Sequence, residues 1–286
     1  MKSVCLLLAL LALTIGVNVW GSSTARDVHV TSYTLDKEKL GQKEPVRIVL
    51  IGDLHIGVNS TTQLYKDMVE RVNEQEPDLV LVAGDIVTSS YGAMEDPAAY
   101  SDILRQIRAD HGVYVIYGNH DVDEPLLGGF TFVGAENAHR NPDMPGFLRD
   151  CGWTLLTDKV VRIPELDGLC IAGRRDETRP GDGVKEREPL SRLLADTFPE
   201  EPVILLQHEP CDLDTMGEYG VDLSVIGHTH DGQIFPGNLF CRIKGPQAYG
   251  LKQWGDSMSI VTSGVGFYGP PIRVGTISEI TVIDLE

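Results

Sequence analysis

Five short motifs in this 286-residue chain carry carboxylate, imidazole and amide side chains. The motifs are Asp53-Leu54-His55, Gly84-Asp85, Gly118-Asn119-His120-Asp121, His208 and Gly227-His228-Thr229-His230. Oxygen and imidazole ligands of this kind suit Mn, Fe, Zn, Co or Ni rather than metals that prefer thiolates. The groups are too many for one tetrahedral ion, but they suit two ions that share a carboxylate. The motifs therefore predict a binuclear metal site.

Each motif follows a run of apolar residues, as expected for strands that are buried on both faces. The predicted strands are Val46–Ile51, Leu79–Ala83, Val113–Tyr117, Val203–Leu206 and Leu223–Ile226. Because ligand sites of open α/β sheets form beyond the carboxyl ends of strands, we expect the motifs to converge. A glycine precedes the first polar group in four of them, which indicates a backbone too close to the site for a Cβ.

Helical patterns separate several of these strands, and they are predicted at Thr61–Gln75, Asp96–Ala109 and Pro189–Thr197. This alternation favours α/β layers around a largely parallel central sheet. A strand at the sheet edge is predicted over Val28–Leu35, and a hairpin joins Val160–Ile163 to Leu169–Ala172. Ser259–Thr262 and Ile277–Leu285 are expected to complete a second sheet, and residues 121–147 and 174–189 are expected to be surface loops.

The N-terminal stretch from Val4 to Trp20 is almost entirely apolar and follows Lys2. Roughly 17 apolar residues are the lower limit for a helix that spans a membrane. Ser23-Thr24-Ala25 also offers a signal-peptidase site, so a cleaved signal peptide is the alternative to an anchor. With Lys2 held inside, an anchored catalytic domain would lie outside the cytoplasm. We expect an anchor or signal over residues 1–25, a lead-in over 26–45 and one catalytic domain over 46–286.

The chain has a formal net charge of −18 and a pI of about 4.8. An anionic surface repels nucleic acids at long range, so a dedicated DNA- or RNA-binding function is not expected. The five cysteines include no CxxC pair, and no zinc ribbon is predicted. No sequence pattern indicates an obligate protein partner.

Individually most of these motifs are weak, and a lone His208 would usually be a core histidine. Together, in this order, they resemble the signature of calcineurin-like metallophosphoesterases over residues 46–286. The N-terminal anchor, Gln233 and the glycine-rich segment Ser263–Pro271 are similar to a small membrane-anchored bacterial branch. The resemblance implies a four-layer αββα sandwich of the α/β (α+β) class, preceded by an apolar helix.

The resemblance also implies a role for each motif residue. It implies a first metal ion on Asp53, His55 and His230, a second on Asn119, His208 and His228, and a bridging carboxylate from Asp85. Asn119 and His120 would face the substrate phosphate, and His120 would be catalytic, with Asp121 orienting its ring. Asp231 stands where this branch commonly has glycine, and we expect it to add negative charge at the rim of the site.

The activity implied is hydrolysis of a phosphodiester or pyrophosphate bond by a metal-activated hydroxide. The implied substrate is a phosphorylated small molecule or lipid, either lipid-linked (UDP-2,3-diacylglucosamine-like) or a nucleotide. The implied cofactors are two divalent transition metal ions, manganese among the candidates. A phosphomonoesterase or protein phosphatase on the same site is the alternative, and a non-catalytic binding module is a third possibility.

Overall fold

Two six-stranded sheets stack face to face in the computed structural model, which describes residues 2–89, 91–131 and 139–286. In spatial order the first sheet contains β1 (Val28–Leu35), β14 (Ser278–Leu285), β2 (Val46–Ile51), β3 (Leu79–Val82), β4 (Val113–Val115) and β7 (Thr154–Leu155). The second contains β12 (Gly250–Trp254), β13 (Ser257–Val261), β11 (Leu223–Ile226), β10 (Val203–Leu206), β9 (Leu169–Gly173) and β8 (Lys159–Ile163).

Strand β2 is almost entirely apolar because both of its faces are buried. Ile48 and Leu50 pack between the two sheets, whereas Val49 and Ile51 pack under the helices on the outer face. The helices over the first sheet are α2 (Thr62–Glu74), α3 (Pro97–Leu104) and α4 (Met144–Asp150). The short helix α5 (Leu190–Leu193) covers the second sheet. The four-layer αββα arrangement is therefore confirmed.

The structure corrects several details of the predicted topology. Both sheets are largely parallel, as predicted, but there are two sheets instead of one central sheet. The first contains one antiparallel pair, β14 with β2, and the second contains two, β12 with β13 and β8 with β9. The predicted strand Ile277–Leu285 lies in the first sheet as β14, because it fills the gap between β1 and β2. The predicted loop 121–147 contains a small hairpin, β5 (Leu126–Leu127) and β6 (Phe130–Thr131), and the start of α4; its residues 132–138 lie outside the described residues.

Helix α1 (Lys2–Thr24) precedes the sandwich and is long and apolar enough to cross a membrane. Its apolar side chains are exposed as far as Trp20. Its last turn belongs to the domain: Gly21 is buried, and its carbonyl accepts a hydrogen bond from the Arg273 amide at 2.9 Å. Ala25, just beyond the helix, is fully buried in the core. Near the other end of the chain, the mostly exposed helix α6 (Gly237–Lys244) follows the last motif.

Candidate metal centre

The loops after β2, β3, β4, β10 and β11 bring the predicted ligands to one buried location. All seven are buried except His228, which is partly exposed. Five of them have a left-handed backbone, with φ between 47° and 72°: Asp53, His55, Asp85, His228 and His230. Non-glycine residues rarely adopt this conformation, and strained backbone of this kind clusters at functional sites.

The first predicted metal position lies between two stacked imidazoles. The Nε2 atoms of His55 and His230 are 3.0 Å apart, and a carboxylate oxygen of Asp53 lies within 4.8 Å of both. The other ring nitrogen of His55 lies 3.1 Å from the Thr88 hydroxyl, which leaves Nε2 for a ligand. Asp53 Oδ2 is buried and has no hydrogen-bond partner among the described residues. A cation at this point would satisfy all three side chains.

The second predicted position surrounds the side-chain oxygen of Asn119. This Oδ1 atom lies 3.0 Å from His208 Nε2 and 3.0 Å from His228 Nδ1. His208 Nδ1 lies 2.7 Å from the carbonyl of Ala83 and therefore carries the proton, so that Nε2 is the ligand atom. Oxygen and two imidazoles again form a donor set that suits a divalent transition metal.

Asp85 lies between the two positions. Its Oδ2 atom is 3.6 Å from His55 Nε2 and 3.2 Å from His208 Nε2, while Oδ1 accepts a hydrogen bond from the His120 amide at 2.8 Å. Asp53 also has ligand atoms close to both groups of side chains, because it lies near His55 and His230 and near Asp85 and His208. Either carboxylate is therefore placed to be shared between two ions.

The electrostatics of the site favour bound cations. Burial raises the pKa of Asp53 to about 7, and it lowers the pKa of His55 to about 3 and that of His228 to about 4. Burial opposes ionisation of Asp85 too, but His208 holds the pKa of this carboxyl well below its usual value. In return, Asp85 raises the pKa of His208 well above its usual value despite burial. Divalent cations would supply this positive charge directly and would find neutral imidazoles to bind.

Glycines allow the backbone to approach the carboxylates. A Cβ on Gly118 would lie 2.2 Å from Asp85 Oδ1, and a Cβ on Gly227 would lie 2.8 Å from Asp53 Oδ2. Gly264 belongs to the glycine-rich segment near the C-terminus, and a Cβ there would lie 2.7 Å from Asp53 Oδ2. These positions therefore require glycine because a side chain would displace a predicted ligand.

His120 lines the open cleft above the predicted metal positions, a cavity of about 340 Å³. Its ring stacks on Tyr268 with centroids 4.6 Å apart, and its Nδ1 lies 3.9 Å from the carboxylate of Glu124. Burial lowers the pKa of His120. The expectation that Asp121 orients this ring is wrong: the Asp121 carboxylate accepts hydrogen bonds from the amides of Val87 and Gly118, at 2.9 and 2.8 Å.

Two ion pairs near the site were not apparent from the sequence. Arg179 pairs with the buried side chain of Glu124 and donates to the carbonyl of Asn119 at 3.1 Å. Arg242 of α6 pairs with Asp231 at 3.0 Å. The expectation that Asp231 adds net negative charge at the rim is therefore wrong, because this residue is only 4% exposed and its charge is paired with a guanidinium. Each pair joins two different elements, and no local motif could reveal it.

Arg273 is a third residue that the sequence did not indicate. Its guanidinium is fully buried, and its Nη2 atom donates to the carbonyls of Ser263, Gly264 and Gly266 at 2.8, 3.0 and 2.6 Å. The same nitrogen lies 3.3 Å from His230 Nδ1. Burial lowers the pKa of Arg273 to about 10, so the side chain stays charged at neutral pH. Arg273 therefore fixes the glycine-rich segment against the predicted metal ligands.

Comparison with known proteins identifies relatives of the chain. Residues 46–232 match the family model described as calcineurin-like phosphoesterase. A zebrafish (Danio rerio) transmembrane protein with a metallophosphoesterase domain is 31% identical over 279 residues, which cover 92% of this chain and 59% of that protein. An uncharacterized metallophosphoesterase of Bacillus subtilis is 31% identical over 253 residues, covering 84% of this chain and 79% of the relative.

A third relative is an uncharacterized metallophosphoesterase of Helicobacter pylori. It is 29% identical over 261 residues, which cover 88% of this chain and 60% of that protein. The chain thus spans about three-fifths of the length of the zebrafish and Helicobacter relatives.

Proposed function

This chain belongs to the calcineurin-like phosphoesterase family, and we propose that it hydrolyses a phosphodiester or pyrophosphate bond with the help of two divalent metal ions. The observation that carries the proposal is the position of Asp85, whose Oδ2 atom faces His55 on one side and His208 on the other. A non-catalytic binding module would not need a shared carboxylate between two complete ligand sets.

The proposed ligands follow the two groups of side chains. Asp53, His55 and His230 would hold one ion, Asn119, His208 and His228 the other, and Asp85 both. Bound there, the ions would lower the pKa of a water molecule and neutralise the charge of the substrate phosphate. The unpaired Asp53 Oδ2 atom and the two facing imidazole nitrogens of His55 and His230 support this assignment.

We assign the proton transfer to His120, which is placed on the cleft but outside both ligand groups. Its stacking on Tyr268 fixes the plane of the ring, and Glu124 lies on its Nδ1 side. The ring can therefore present Nε2 to a leaving oxygen in the cleft. Arg179 neutralises Glu124 and holds the carbonyl of Asn119, so the substrate-facing segment is supported from behind.

The lipid-linked form of the substrate is favoured over a soluble nucleotide if α1 remains attached as an anchor. Gly21 and Ala25 are buried in the domain, and cleavage after Ala25 would remove residues that pack against its core. We therefore propose that α1 holds the domain at a membrane rather than being removed as a signal peptide. With Lys2 held inside, the domain would lie outside the cytoplasm. The zebrafish relative is itself described as a transmembrane protein.

A panel of substrates and metals tests the proposed reaction. The purified full chain is assayed on a bis-aryl and a mono-aryl phosphate in Mn, Zn, Co, Ni and Mg. We expect metal-dependent hydrolysis that is faster on the diester. Faster hydrolysis of the monoester would favour the phosphomonoesterase alternative, and no hydrolysis of either ester or of a pyrophosphate would favour a binding module.

A further inference from the structure

An exposed apolar surface lies beside the metal centre. It consists of five side chains from the segment before α6 and from α6 itself, here called the apolar rim: Ile234, Phe235, Leu239, Phe240 and Ile243. Phe240 is 59% exposed and Ile243 is 81% exposed. Asn238 is the buried residue of α6, so most of the helix projects from the domain. Contiguous apolar surface of this kind usually marks an interaction site.

Two further exposed apolar side chains lie on another segment near the same cleft. Phe130 and Leu127, from the small hairpin of β5 and β6, are 44% and 71% exposed. Phe130 and Ile234 both line the cleft that contains His120. The cleft that leads to the metal centre is thus lined by exposed apolar side chains from two separate segments, which would meet a surface against which the opening is placed.

The end of the membrane-length helix α1 lies next to the same rim. Gly21 packs against Ile272 and Val274 at the point where Arg273 donates to its carbonyl. Val274 in turn accepts a hydrogen bond from the amide of Phe235 at 2.8 Å. One short segment therefore joins the end of α1 to the first residues of the apolar rim.

This adjacency limits what can face the rim when α1 is in a membrane. At about 1.5 Å per residue, the exposed part of the helix, residues 2–20, is roughly 28 Å long, close to the hydrocarbon thickness of about 30 Å. A domain attached directly at Gly21 must then hold its neighbouring surfaces close to the lipid head groups. Lys244 adds basic charge at the end of α6, beside Arg242, which is paired with Asp231, in a chain whose net charge is −18. Apolar side chains beside basic ones fit the interface of a bilayer.

We propose that the apolar rim docks on the surface of the lipid bilayer and turns the opening of the metal centre towards the head groups. The docking surface itself requires only that α1 is retained. Its consequence for substrates rests on the proposed function: the site would receive a phosphate group from a lipid lying in the bilayer.

Photo-crosslinking in vesicles tests the docking. The photoreactive residue p-benzoylphenylalanine replaces Phe240 in one variant and Phe198 in a matched control, in the full chain reconstituted in vesicles of phosphatidylethanolamine and phosphatidylglycerol. Phe198 is 61% exposed and precedes β10, at the end of the sheet opposite to the metal centre. We expect phospholipid adducts at position 240 at least ten times more often than at position 198. A second variant at Ile243 should behave like Phe240 and guards against a local folding defect.

Equal adduct yields at positions 240 and 198, or adducts at 240 and 243 with a second copy of the chain or another protein, would overturn the proposal. The crosslinking needs no turnover, so Asp85→Asn protein should give the same lipid adducts. If the wild-type protein forms the lipid adducts but hydrolyses no phosphate ester, only the proposed reaction is contradicted. If it hydrolyses the ester but forms no lipid adducts, only the docking is contradicted.

Discussion

Replacing Arg273 by methionine should destabilise the protein and slow catalysis together. The substitution keeps a long apolar stem but removes the donor that serves the carbonyls of Ser263, Gly264 and Gly266. A buried acceptor without a partner costs about 1–3 kcal/mol. The carbonyls of Ser263 and Gly266 would lose their donor, whereas that of Gly264 keeps the Glu279 amide at 3.0 Å, so the expected cost is roughly 2–6 kcal/mol. Because water can enter and the segment can relax, we expect a loss of about 3–5 kcal/mol in the free energy of unfolding.

The catalytic effect follows from the position of the glycine-rich segment. Gly264 touches Asp53, so movement of the segment displaces a predicted metal ligand. Misplacement of about 1 Å near reacting groups can slow turnover by roughly 100-fold. We expect Arg273→Met to lower kcat by 10- to 100-fold, and Arg273→Lys to recover part of both losses because it can still donate to one or two of the carbonyls.

Guanidinium denaturation followed by tryptophan fluorescence measures the stability, and hydrolysis of a bis-aryl phosphate measures the turnover. Arg192→Met is the matched control: its side chain is 75% exposed and pairs with Glu188 at 3.3 Å. We expect this control to stay within about 0.5 kcal/mol of the wild type. If Arg273→Met also stays within about 1 kcal/mol and keeps full turnover, Arg273 does not hold the segment in place.

Three further predictions concern separate parts of the molecule. Gly118→Ala should lower metal content and activity, because its Cβ would lie 2.2 Å from Asp85 Oδ1; unchanged metal content by mass spectrometry would contradict this reason. His120→Ala should keep the bound metal but lower kcat by roughly 100-fold or more, and a loss of metal instead would make His120 a ligand. Glu201→Gln should lower the melting temperature at neutral pH. Arg162 lowers the pKa of Glu201 from 4.5 to about 2, so the pair stabilises the protein only while Glu201 is ionised. The difference in melting temperature from the wild type should therefore vanish as the pH falls from about 4.5 to 2. A difference that persists at pH 2 would refute the pairing.

The strand-end motifs could be predicted because their information is local. A continuous apolar run such as Val46–Ile51 indicates a strand buried on both faces, and the polar residues after it must then lie at the sheet edge. His208 shows the strength of this reasoning. Its own motif is weak, yet its place after β10 brings its Nε2 atom to 3.0 Å from Asn119.

The supporting residues could not be predicted because their partners lie on other elements, outside their own motifs. Arg179 lies in a segment that appears as a polar loop, and its partner Glu124 has no distinctive neighbours. A carboxylate directly after His230 suggests a free negative charge, but Asp231 pairs with Arg242, which lies on another element. Similarly, Asp121 is adjacent to His120 in sequence, but its side chain turns to backbone amides instead.

The predicted sheet for β14 is wrong for a related reason. Its apolar alternation predicts a strand, but not which sheet it joins. Eight residue pairs with β1 and five with β2 decide the choice, and both partners are far away in sequence. Local pattern thus identifies elements and their ends, while the pairing of remote elements needs the folded structure.

The metal content of the active full chain tests the central claim most directly. Plasma mass spectrometry of protein loaded with Mn, Zn, Co or Ni and passed through a desalting column should give two ions per chain in the most active preparation. Asp85→Asn should bind fewer ions and lose activity, because the shared carboxylate is removed. Full activity of the wild type with no bound ion or only one, or full activity of Asp85→Asn, would contradict a binuclear centre built on these seven residues.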